Sequence, residues 1–346
     1  MKKIVTIVGA RPQFVKAAMV GRALAKSGKF NEVMIHTGQH FDDAMSDIFF
    51  RELGITPPGH HLDIHGGGHG EMTGRMLTAL EPLLAQEKPD WVLVYGDTNS
   101  TLAGALAATK LNIPIAHVEA GLRSFNRRMP EEVNRVLTDH VSALLFCPTA
   151  AAIANLIHEG VTEGVHVVGD VMYDAALAAA PIARSNSSIL KRLELHEGGF
   201  AVATIHRAEN TDDPKRLAEI IVWLNARAKE HPVVWPLHPR SKAAAERDGL
   251  DLSRLTIIEP VGFIDMTRLV LGASIIYTDS GGLQKEAYFH GKPCVTLREE
   301  TEWVETVECG WNRLWRQPSF KPRQPIKDYG EGDASQKIAK LLERNP

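Results

Sequence analysis

The 346 residues are 44% apolar and 23% charged, the composition of an ordinary globular chain, which excludes a disordered or low-complexity protein. A net charge of −3 gives no long-range pull on nucleic acid or acidic membranes, so neither is expected as a partner. The length exceeds what one core usually serves and predicts two domains of roughly 150 to 180 residues.

The first expected element is a buried strand over Ile4–Val8. Met1-Lys2-Lys3 before it superficially resembles a signal peptide, but Arg11 and Pro12 cut the apolar run too short for one. Gly9-Ala10-Arg11-Pro12-Gln13-Phe14-Val15-Lys16 comes next, with Pro12 suited to a first helical turn and a helix expected over Gln13–Lys26. Strands follow at Glu32–His36, Trp91–Tyr95, Ile115–Val118 and Leu144–Cys147, with a helix over Thr101–Lys110. Continuous apolar strands alternating with helices predict a parallel sheet covered on both faces. Gly66-Gly67-Gly68-His69-Gly70 precedes a helix rather than linking a strand to one, and reads as a connector.

In open sheets of this kind ligands bind beyond the carboxyl ends of the strands. Arg11 and Lys16 start from such an end, which sets them apart from routine surface cations. Asp97, in Gly96-Asp97-Thr98, reads either as a functional acid or as the cap of the following helix. Glu119, in His117-Val118-Glu119-Ala120-Gly121-Leu122-Arg123, directly follows a buried strand and has no such structural excuse. Pro130-Glu131-Glu132 looks like a helix start. Glu131 with Arg135 at i,i+4 also fits a surface pair contributing about 0.3–0.5 kcal/mol.

The strand rhythm restarts at Phe200–Ile205 and runs through Val233–Leu237, Leu255–Ile258, Ser274–Thr278 and Pro293–Leu297, with the join placed near Gly169-Asp170-Val171. These strand ends deliver His206-Arg207, His238 beside Arg240, and Asp279-Ser280-Gly281-Gly282 leading into a helix. Glycines there let a phosphate approach N–H groups at the positive helix end, and Ser280 adds a hydroxyl donor. Glu286, about one turn in, is placed to receive ribose hydroxyls. The last expected helix is Ala334–Arg344.

Cys147, Cys294 and Cys309 are odd in number and scattered, which fits a reducing cytoplasm. No apolar stretch approaches the length that crosses a bilayer. The dinucleotide glycine pattern, a Walker A sequence and a His-Glu-X-X-His spacing are all missing, so neither cofactor nor metal is expected.

As a set, Gly9-Ala10-Arg11-Pro12 with Lys16, Gly96-Asp97-Thr98, His117 to Arg123, Pro130-Glu131-Glu132 with Asn134-Arg135, His206-Arg207 and Asp279-Ser280-Gly281-Gly282 resemble the non-hydrolysing UDP-N-acetylglucosamine 2-epimerase family. The resemblance runs from Gly9 to about Trp311. It implies the α/β glycosyltransferase-B architecture: two doubly wound, Rossmann-like parallel-sheet domains with the active site in the cleft between them. Residues 1–169 form the first, rejoined by a final helix at about 332–346, and 170–331 form the UDP-binding second. It implies catalytic roles for Lys16, Asp97, Glu119, Glu131 and His206. Nucleotide contacts fall to Arg11, His238, Ser280, Gly281, Gly282 and Glu286, with Arg135 near the diphosphate and Arg207 as a further substrate-binding residue.

The implied activity is interconversion of UDP-GlcNAc and UDP-ManNAc, by elimination of UDP to a 2-acetamidoglucal and re-addition, in surface-polysaccharide precursor synthesis. Gln13-Phe14, Ala208-Glu209-Asn210 and Thr301-Glu302-Trp303-Val304-Glu305 depart from the family's common pattern. They look like members acting on modified sugars such as UDP-2,3-diacetamido-2,3-dideoxyglucuronate, whose carboxylate wants an extra cation, with Arg127 or Arg128 as candidates. The alternative from another reaction class is a retaining glycosyltransferase of the same architecture, which has no need of Lys16 among three carboxylates. A homodimer is expected as the commonest oligomer.

Overall fold

Ile4, Val5, Ile7 and Val8 are wholly buried, as a strand covered on both faces requires. The structure is a computed structural model that describes residues 1–39 and 57–345; the side chain of Arg11 lies outside the described part. The chain forms two compact units, Met1–Ala175 with Lys327–Pro346, and Ala176–Ile326.

In the first unit β1 (Lys2–Val8) leads into α1 (Arg11–Ser27), β2 (Phe30–His36), β3 (His60–His61) and α2 (His69–Glu87). Then come β4 (Trp91–Tyr95), α3 (Asn99–Lys110), β5 (Ile115–Val118), α4 (Pro130–Val141), β6 (Leu144–Cys147), α5 (Ala150–His158), β7 (Val165–Val167) and the start of α6 (Val171–Asn186). The strands pair in the order β3-β2-β1-β4-β5-β6-β7, all parallel. Strand order reverses where β1 meets β4, in the register Ile4↔Trp91 to Ile7↔Val94. On one face Val5, Ile7, Val92 and Val94 pack against Met76, Leu80 and Leu84 of α2 and Ala103 of α3.

The second unit repeats the plan with α7 (Ile189–Arg192), β8 (Ala201–Thr204), α8 (Ala208–Thr211), α9 (Pro214–Arg227), β9 (Val233–Pro236) and α10 (Pro239–Arg247). It continues through β10 (Thr256–Ile258), α11 (Phe263–Gly272), β11 (Ile275–Thr278), α12 (Gly281–Phe289), β12 (Cys294–Thr296), α13 (Val304–Glu308) and β13 (Asn312–Leu314). Its order is β10-β9-β8-β11-β12-β13, again all parallel and reversing between β8 and β11. Trp235 and Phe200 are fully buried in its core, and burial of each such side chain contributes about 1.5–3 kcal/mol.

Two doubly wound parallel sheets are therefore present, as the strand rhythm predicts. The edge strands β3 and β13 escape sequence reading because two or three residues carry no apolar run.

The last helix, α14 (Ala334–Arg344), belongs to the first unit. Its amphipathic face buries Ile338, Ala339 and Leu342. Both its ends are tied by side chains from that unit. Asp174 of α6 accepts the N–H groups of Ala334 (3.1 Å) and Ser335 (2.7 Å), and the Lys2 ammonium donates to the carbonyls of Leu342 and Glu343 (both 3.0 Å). Asp174→Ala is expected to cost about 1 kcal/mol, the usual loss for a removed N-terminal cap, read as a lowered midpoint in thermal unfolding. An unchanged midpoint would show that the cap is dispensable. No described helix is long and apolar enough to cross a membrane.

Candidate active site

The β1/β4 switch point brings together the loop after β1, the loop after β4 and the exit of β5. Lys16, in the second turn of α1, is buried, and its ammonium pairs with the carboxylate of Glu119, the first residue after β5. Glu119 takes a left-handed backbone, φ 72°, which a non-glycine residue adopts only where the surroundings impose it. Gly96 opposite also has positive φ, 61°, and a Cβ there would lie 3.3 Å from Glu119 Oε2 and 3.8 Å from Lys16 Nζ. Lys16, Val118, Glu119, Pro148, Gly169 and Asp170 line a small cavity in this unit.

Asp97 is not the cap of α3. Thr98 holds that position, its hydroxyl accepting from Thr101 N–H at 3.3 Å. The Asp97 carboxylate instead meets the Arg135 guanidinium from α4, with Nε at 3.1 Å and Nη2 also on Oδ2. Arg135 Nη1 continues to Glu132 at 2.8 Å, and Asn134 Nδ2 donates to the Asp97 carbonyl at 2.9 Å. Arg135 thus forgoes the i,i+4 partner Glu131 for Glu132 and Asp97. Glu131 is half-buried in the first turn of α4 and makes no ion pair among the described residues.

Burial raises the proton affinity of Asp97, Arg135 pulls it back, and the neighbouring Glu119 charge adds to the rise; the outcome is a carboxyl held above the ordinary aspartate range. Such a group exchanges protons more readily near neutrality than an ordinary aspartate.

A buried polar chain supports both loops. His117 of β5 donates from Nε2 to the Gly96 carbonyl (2.7 Å) and from Nδ1 to Asp139 (2.7 Å). Asp139 also accepts from Gly121 N–H (3.1 Å) and Arg123 (2.7 Å), and Arg123 reaches Glu159 through two bonds of 2.8 and 2.7 Å. Burial opposes the Asp139 anion, yet His117 and Arg123 hold its pKa below the usual range.

In the second unit the corresponding switch point carries His206, Arg207 and Asp279. Asp279 is wholly buried and accepts the backbone N–H groups of His206 (3.0 Å) and Arg207 (3.0 Å) and the Asn210 amide (3.0 Å). His206 Nδ1 stands 3.3 Å from its Oδ1, so the partly exposed imidazole is backed by a fixed carboxylate. The His206 and His238 rings lie 6.3 Å apart, and His238 caps α10 by accepting Arg240 N–H at Nδ1 (3.2 Å).

Ser280 caps α12, Gly282 is exposed at its start, and Glu286 is half-buried one turn on. A Cβ on Gly281 would collide with the Glu302 carboxylate, which Arg298 (2.7 Å) and Arg207 (3.4 Å) hold over the positive end of the helix. The structure thus gathers Lys16, Asp97, Glu119 and Arg135 in one unit, and His206, Arg207, His238, Ser280, Gly281 and Gly282 in the other.

Three supporting residues escape the sequence reading: Glu132, Asp139 and Glu302. Glu132 shares its motif with Glu131, and only helix phase decides which one faces inward. Asp139 sits in the last turn of α4 with no mark in its spacing.

The family model described as UDP-N-acetylglucosamine 2-epimerase matches residues 22–343. The chain is 53% identical to UDP-2,3-diacetamido-2,3-dideoxy-D-glucuronate 2-epimerase of Pseudomonas aeruginosa, covering 98% of this chain and 99% of the relative. The solved UDP-GlcNAc 2-epimerase of Methanocaldococcus jannaschii, in complex with UDP-GlcNAc and UDP, superposes with a TM-score of 0.86 at 39% identity, covering 99% of this chain and 100% of that one. The enzyme from Neisseria meningitidis bound to UDP-GlcNAc gives a TM-score of 0.89 at 30% identity, with the same coverage.

Proposed function

The chain belongs to the UDP-N-acetylglucosamine 2-epimerase family, and within it we propose that this enzyme inverts C2 of UDP-2,3-diacetamido-2,3-dideoxyglucuronate. The observation that carries the reaction is the pairing of Lys16 with Glu119 beside that of Arg135 with Asp97, two carboxylates and two cations at one switch point.

A C2 proton becomes acidic as the C1–O bond to UDP stretches and positive charge grows on the ring. One carboxylate of the Asp97 and Glu119 pair takes that proton. The C2–H electrons become the C1=C2 bond of the glucal, and the C1–O electrons leave with UDP. The other carboxylate returns a proton to the opposite face of C2, and a UDP oxygen closes back on C1. General acid–base transfer of this kind contributes about 10²–10⁴-fold.

Lys16 orients Glu119, Arg135 balances the charge of the departing diphosphate, and Glu131 stands as a third carboxylate. On the other unit the start of α12, with Ser280, Gly281 and Gly282, receives the diphosphate once the Glu302 carboxylate gives up its place there, and Glu286 receives the ribose. His206 and Arg207 donate to the leaving phosphate, and His238 with Arg11 contacts the nucleotide.

Full-length identity of 53% supports the uronate as substrate. So do Arg127 and Arg128, both exposed and without an acidic partner among the described residues, as cations suited to a sugar carboxylate. UDP-GlcNAc, interconverted with UDP-ManNAc, is the second reading, favoured by the bound ligand of the Methanocaldococcus jannaschii relative.

Incubation with each UDP-sugar in heavy water, followed by NMR, tests both. The expected result is a mixture of two C2 epimers still bearing UDP, deuterated at C2, formed faster from the uronate. Free sugar, turnover only with an added acceptor, or inversion without deuterium would reject the reaction; faster turnover of UDP-GlcNAc would exchange the two substrates.

A further inference from the structure

Gln13, in the first turn of α1, is almost completely buried and uses its amide at both ends. The oxygen accepts from the N–H groups of Gly9 (2.8 Å) and Ala10 (3.0 Å). The nitrogen donates to the carbonyl of Tyr95 (2.7 Å) and lies against the hydroxyls of Thr98 (3.0 Å) and Thr101 (2.9 Å). One end therefore grips the loop after β1, and the other grips the loop after β4. These are the two loops that flank the switch point. Lys16 lies one turn beyond Gln13 on the same helix, and Asp97 lies between Tyr95 and Thr98.

We propose that Gln13 is a positioning residue that fixes the spacing between Lys16 and Asp97, an inference that rests on the catalytic roles assigned to them above. The site asks for an acceptor at one end and a donor at the other, which an amide supplies. A carboxylate offers acceptors at both ends, so its second oxygen would face the Tyr95 carbonyl. Protonation restores the donor. Glutamate at this position is therefore a staple that holds only while it carries a proton.

The test compares kcat and KM of the wild type, Gln13→Glu and Gln13→Met across pH, using whichever UDP-sugar the wild type epimerises. Gln13→Met is expected to lose about 10²-fold in kcat with little change in KM, the scale of effect when catalytic groups shift by an ångström, and to show no recovery at any pH. Gln13→Glu should be equally slow at alkaline pH, with its rate relative to wild type climbing as pH falls, because burial against a carbonyl favours the protonated acid.

A wild-type kcat in Gln13→Met, or a Gln13→Glu to wild-type ratio that stays flat with pH, overturns the assignment while the epimerase reading stands. A wild type that epimerises neither sugar overturns both.

Discussion

Glu119→Gln is expected to lower kcat by about 10²–10⁴-fold, the usual worth of a positioned acid or base, while UDP binds with nearly the affinity of the wild type. The amide keeps the shape of the side chain and an acceptor for the Lys16 ammonium, though the ion pair itself is lost and some stability with it. It can neither accept nor return a proton at C2. The nucleotide contacts proposed above belong to other residues, Ser280 to Gly282, Glu286 and His238 among them, and have no reason to weaken. NMR turnover assays and calorimetric titration with UDP check the two halves separately. Loss of UDP affinity in step with turnover would show that Glu119 serves binding, and wild-type turnover would remove it from the chemistry.

A second large effect is expected at Asp139→Ala, on stability. Asp139 is wholly buried and is the acceptor shared by His117, Arg123 and Gly121 N–H. Removing one member of a buried charged network typically costs about 3–5 kcal/mol, because the remaining groups stay desolvated and unpaired. For a unit of this size that is a fall in melting temperature on the order of 10 °C.

The pH dependence has a defined sign. The folded-state pKa of Asp139 is depressed, so its contribution is present above the ordinary aspartate range and is lost as pH falls through the folded value. The wild type's advantage over Asp139→Ala should therefore shrink under acid conditions. Urea unfolding at neutral and acid pH measures it, and a difference that does not vary with pH would rule out the ion pairs as its source.

Strand ends proved the readable part of this chain. Ile115–Val118 and Leu144–Cys147 emerge at the residues their apolar runs predict; Asp97 and Glu119 are found just beyond such ends, and Lys16 in the second turn of the helix that follows another. What sequence could not resolve was competition between neighbours for the same partner. Asp97 and Thr98 are both good caps, and Glu131 and Glu132 are both within reach of Arg135; the winner depends on side-chain directions fixed by tertiary packing. The His117–Asp139–Arg123 chain was invisible for a related reason. Its members come from a strand, a helix and a loop, with no periodicity in common.

The choice of Thr98 as cap reaches further than helix stability. A carboxylate recruited to bind free amide hydrogens at a helix start becomes a poorer base, since every such bond favours its charged form. By giving that task to an uncharged hydroxyl next door, the chain leaves Asp97 its appetite for protons. Thr98 and Asp97 thus divide two duties that one aspartate would otherwise have to reconcile.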